Sequence, residues 1–122
     1  MGLTRKQAKD KMLAAINGPV SFKYPGREGR RNGILKDRAI IWSGDGRKGV
    51  KYWDVVDLIE FAGAKHPLWM RIGYYRQKGD RMRWASQTTI SEPLGTWVRL
   101  LAKAARDKEW FKRIILSAAS QL

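Results

Sequence analysis

The chain contains no cysteine and a single histidine among its 122 residues. The first absence excludes disulfides, thiolate nucleophiles and cysteine zinc sites together; the second excludes a metal centre built from several histidines. No apolar run approaches the roughly 18 residues that a membrane span needs, and residues 1–12 lack the apolar core of a secretory signal. The glycines do not show the spacing of a phosphate loop. Acid is also scarce, with eleven Asp and Glu against twenty-five Lys and Arg, for a formal charge of +14. A cytoplasmic, soluble protein with no cofactor and no membrane insertion is the expectation. Self-repulsion of that size costs stability, so an anionic partner is expected to offset it, with DNA or RNA first among the choices.

Apolar residues make up 43% of the chain, enough for one domain, residues 1–122, to bury its own core. The most informative stretch is 67–92, which reads as two strands and a tight turn. Alternation along 68–76 puts Leu68, Met70, Ile72 and Tyr74 on one face, and Trp69, Arg71, Gly73 and Tyr75 on the other. Matching apolar faces across the pair calls for a three-residue loop, Gln77, Lys78 and Gly79. Tyr74 then opposes Met82, and Ile72 opposes Trp84. Trp69, Arg71, Tyr75, Arg81 and Arg83 are left together on the outward side.

Before this stretch, Thr4 and Gln7 form a capping-box pattern, and Ala8, Met12, Ala15 and Ile16 come at helical spacing until Gly18 and Pro19. Residues 20–24 read as a short strand. Residues 27–33 form a loop carrying Arg27, Arg30 and Arg31. Strands at 34–35 and 39–42 suggest a hairpin around Lys36, Asp37 and Arg38, and a second basic loop, 43–49, carries Arg47 and Lys48. In 50–61, β-branched residues argue for a strand, but Tyr52, Val55, Val56 and Ile59 recur at helical spacing, and the helix is preferred. Ser91, Glu92 and Pro93 open a C-terminal helical segment with a seam through Trp97, Leu101, Ala104, Phe111 and Ile115.

The expected fold is α+β: an antiparallel sheet of about five short strands, interrupted by the 50–61 helix, with helices packed on one face. The opening helix, three strands and helix is similar in order to double-stranded-RNA-binding domains, although no residue motif of that family is present.

Flat rings and guanidinium planes stack on unpaired bases, while Lys and Arg bind phosphates. The expected function is therefore non-catalytic nucleic-acid binding through Trp69, Arg71, Tyr75, Arg81, Arg83 and Gln87, extended by Arg27, Arg30, Arg31, Arg47 and Lys48. Two alternatives accompany it. On a helix, Asp54, Asp57 and Glu60 would share a face and could hold a divalent metal for a nuclease, against the plainer reading of a solvated acidic stripe. The basic surface could instead meet an acidic protein, with a homodimer formed through the C-terminal helix. His66 lies before Pro67 without an evident partner and reads as a surface loop histidine.

Overall fold

A computed structural model describes residues 2–23, 30–85 and 93–122. It contains five strands and three α-helices. In chain order these are α1 (Arg5–Leu13), β1 (Pro19–Lys23), β2 (Arg30–Asp45), β3 (Lys51–Glu60), β4 (Leu68–Lys78), β5 (Arg81–Trp84), α2 (Leu94–Asp107) and α3 (Glu109–Ser120). The strands form one antiparallel meander in the order β1-β2-β3-β4-β5. The α+β class and the five-stranded sheet are as expected from the sequence. Three features differ.

The segment expected to be helical is the central strand, β3. Its helical periodicity misleads because β3 is covered on both faces, so it has no need of a polar side. Trp53 and Val55 join Ala8 and Met12 of α1 on one face; Val56 joins Leu100, Ala104 and Phe111 of α2 and α3 on the other. The helices therefore flank both faces of the sheet rather than one. The likeness in element order to double-stranded-RNA-binding domains ends here, since a strand stands where their second helix would.

The hairpin expected at 34–42 is a continuous strand. Its register shifts between Leu35 and Asp37 and again between Trp42 and Gly44. Each shift admits one unpaired residue, which bends a strand and re-aims the side chains beyond it. After the first shift Arg38 falls on the α1 face. There its guanidinium donates to both Asp57 oxygens, at 2.7 and 3.1 Å, to the Met12 carbonyl at 3.0 Å and to the Tyr75 hydroxyl at 2.9 Å. Arg71 Nη2 reaches the same carboxylate at 2.9 Å. Burial opposes the charge on Arg38, but Asp57 outweighs it and raises the guanidinium pKa.

The remaining anchors obey the same logic of satisfied polar groups. The capping box at Thr4 and Gln7 forms as the sequence indicates. Buried Trp53 donates its indole N–H to Gln77 at 2.8 Å, and Gln77 donates to the Leu3 carbonyl at 3.0 Å. Helices α2 and α3 are separate, broken at Lys108, whose backbone is extended. Lys108 and the Trp110 indole both donate to Asp37, at 2.9 and 3.1 Å, and this fastens the break to β2. Burial, the largest influence, pushes the Asp37 carboxyl up. Hydrogen bonds from Lys108, the Arg38 amide and Trp110 together outweigh it and hold the pKa below its ordinary value. A carboxyl depressed in this way stabilises the fold above its unfolded pKa, and the contribution is lost as pH falls through the folded value.

Two outcomes are expected. Asp57→Ala leaves two guanidinium groups facing each other in the interior and should cost about 3–5 kcal/mol in urea unfolding; an unchanged midpoint would contradict the buried cluster. Between about pH 5 and about pH 2, wild type should lose more stability than Asp37→Asn. Parallel acid profiles for the two would show that the anchor is absent.

Candidate nucleic-acid interface

The β4–β5 turn decides which side chains share a face. Lys78 pairs with Arg81, Gln77 with Met82, Arg76 with Arg83 and Tyr75 with Trp84, leaving a two-residue loop of Gly79 and Asp80. Gly79 takes φ 62°, the left-handed region that a glycine first in a tight hairpin loop supplies. Shortening the loop by one residue reverses the parity expected from the sequence. The alternation along β4 is as expected, but Met82 and Trp84 face α1, and Arg81 and Arg83 face the opposite way.

The outward set expected from the sequence is therefore divided. Trp69, Arg71 and Tyr75 lie on the α1 face and serve the interior. Trp69 donates to the His66 carbonyl at 2.7 Å and meets Phe61 edge-on. Arg71 pairs with Asp57 and lies 4.5 Å from the Trp84 ring centroid. The Tyr75 hydroxyl is held by Arg38, and its ring meets Trp84 edge-on. Arg81 and Arg83 are exposed on the face that also carries α2 and α3. Arg30 and Arg31, expected in a loop over 27–33, instead begin β2 at the far end of the sheet, where their backbones pair with Lys23 and Phe22 of β1. Arg27 and Gln87 lie outside the described residues.

What gathers instead is the end of the sheet formed by the β2–β3 and β4–β5 connections. A 3-10 turn, Arg47–Gly49, presents exposed Arg47 and Lys48 there. On the α2 face, Tyr52 of β3 pairs with Arg76 of β4, which pairs with Arg83 of β5. The next rung outward is Lys78 opposite Arg81. Residues two apart on one strand face lie about 7 Å apart, so the rungs are neighbours. Among the described residues, Asp45 and Asp80 are the acids at this end. Like charges directly opposite one another in an antiparallel pair are destabilising. Here two such pairs, Arg76 with Arg83 and Lys78 with Arg81, stand side by side.

Beside the cations, the Tyr52 and Tyr74 rings lie 6.1 Å apart, inclined at 56°. A Cβ at Gly46 would collide with the Tyr52 ring, so this glycine lets the loop backbone close against the ring and hold it in place. Tyr52, Tyr74 and Arg76 escape sequence reasoning because the three-residue loop points to the face containing Trp69. The available signal is the Gly79-Asp80 pair, a two-residue turn that places Arg83 with Tyr74.

The three acids do not converge. Along β3, Asp54 and Glu60 occupy one face, about 20 Å apart at strand spacing, and Asp57 occupies the other. Among the described residues, no group of three metal-ligating side chains forms. No helix among them is long and apolar enough to cross a membrane. No protein-family model, curated protein or solved structure matches the chain.

Replacing Arg83 by Glu turns a repulsive cross-strand pair into an attractive one. Thermal unfolding should show Arg83→Glu more stable than wild type, by about 0.2–1 kcal/mol and most clearly at low salt. A destabilised variant would mean that the paired cations are not under mutual strain.

Proposed function

We propose that the chain is a nucleic-acid-binding domain that holds phosphates on the cationic end of its sheet, through Arg76, Lys78, Arg81, Arg83, Arg47 and Lys48. The observation that carries this reading is the pair of adjacent like-charged rungs. Each costs stability in the free protein, and an anion laid across them relieves that cost. The +14 charge supports a polyanion over a single small anion. Binding phosphates also releases condensed counterions, a gain that a carboxylate-bearing protein partner does not match.

The test is retention of a fluorescent oligonucleotide across a salt series. Wild type should bind at low salt, with affinity falling linearly on a logarithmic salt axis. Arg76→Gln with Arg83→Gln should weaken binding and flatten that slope by about one for each phosphate no longer held. Absence of binding at low salt would remove the proposal. Equal competition by poly-glutamate would transfer the surface to an acidic protein.

A second reading concerns self-association. Leu94 and Val98 of α2 and Leu116 of α3 are 84%, 67% and 58% exposed, which supports the homodimer expected from the C-terminal segment. Light scattering should then give twice the 14.0 kDa chain mass; a monomer at high concentration and high salt would discard it.

A further inference from the structure

We propose that the nucleic acid on this surface is single-stranded, with Tyr52 and Tyr74 as the rings on which unpaired bases stack. This rests on the nucleic-acid reading above and adds strandedness to it. Three observations carry it.

The first is the placement of the rings. Neither tyrosine belongs to the three apolar clusters that form the core, and both are half-buried rather than enclosed. Tyr52 shares its rung with Arg76 and Arg83, so a base on the ring brings its own phosphate within reach of a guanidinium. Alternating rings and cations are what a single strand requires, because every base offers a flat face while its backbone stays charged. A duplex keeps its bases stacked on one another and would leave both rings idle.

The second is the wall beside them. Asp54 lies directly across from Tyr74 and two residues from Tyr52, yet only 3% of it is exposed. It lines a cavity of about 300 Å³ with Ser43 and with Thr96, Arg99 and Lys103 of α2. A helix with its side chains is about 10 Å across, so α2 rises from the sheet close to the tyrosine pair. A stiff duplex cannot lie flat at the foot of such a wall, whereas a flexible strand can track along it. Arg99 and Lys103 add two cations of α2 to the lining of that cavity.

The third is preorganisation. Gly46 lets the loop pack against the Tyr52 ring, so the ring loses little freedom when a base covers it.

The experiment is fluorescence anisotropy at one moderate salt concentration, using a labelled thymidine 20-mer and a hairpin duplex of equal phosphate number. Wild type should bind the single strand at least about tenfold more tightly than the duplex. Replacing Tyr74 by Leu should weaken single-strand binding about 5- to 150-fold and leave duplex binding unchanged, whereas Tyr74→Phe should retain it. Tyr52→Leu should act in the same direction, and circular dichroism melts confirm that each variant is folded. The comparison of the two ligands on wild type needs no variant, so it stands even if a substitution disturbs the sheet. Equal affinity for the two ligands, or a Leu variant that loses both alike, overturns the inference while leaving nucleic-acid binding in place. Binding of neither overturns both.

Discussion

The register of one short hairpin determines what this protein can present to a partner. Because strand side chains alternate with a period of two, one residue more or less in the β4–β5 loop would move every β5 side chain to the other face. Gly79 and Asp80 close the loop at two residues, and the Leu3 amide, donating to the Gly79 carbonyl at 3.0 Å, ties the N-terminal segment to that turn. Met82 and Trp84 are thereby assigned to the α1 core. Arg81 and Arg83 are assigned to the surface beside Tyr74 and Arg76.

That arrangement separates two kinds of positive charge. Arg38 and Arg71 share the carboxylate of Asp57 and hold α1, β2, β3 and β4 together; burying them is tolerable only because each is hydrogen-bonded. The cations around Arg76 and Arg83 face water and one another. The first group specifies the fold, with one acid, Asp57, serving both guanidinium groups. The second is left with a repulsion that a polyanion relieves.

Sequence reasoning reaches the parts of this picture that depend on local signals. The Thr4 and Gln7 capping box, the alternation of 68–76 and the exposed Arg47 and Lys48 loop are all dictated by neighbours in the chain. What it misses depends on partners far away. Asp54 and Asp57 look like solvated acids until Arg38, nineteen residues upstream of Asp57, is seen to occupy the latter. Gln77 and Arg71 look like surface residues until Trp53 and Asp57 claim them. Because those polar groups point inward, the face bearing them mimics an outer surface, and the sequence pattern alone places the candidate site one residue out of phase.

The meander also has a consequence for how the chain acquires its shape during synthesis. Every strand pairs with its immediate predecessor, so the sheet can grow by successive local closures, the kind that form rapidly. Helix α1 is the exception. Its buried residues Ala8 and Met12 wait for Trp53 and Val55, and Leu3 waits for Gln77 and Gly79. Until β3 and the β4–β5 hairpin are made, the growing chain therefore carries a short basic helix with its apolar side uncovered, and the contact that seals it joins Leu3 to a residue more than seventy positions downstream.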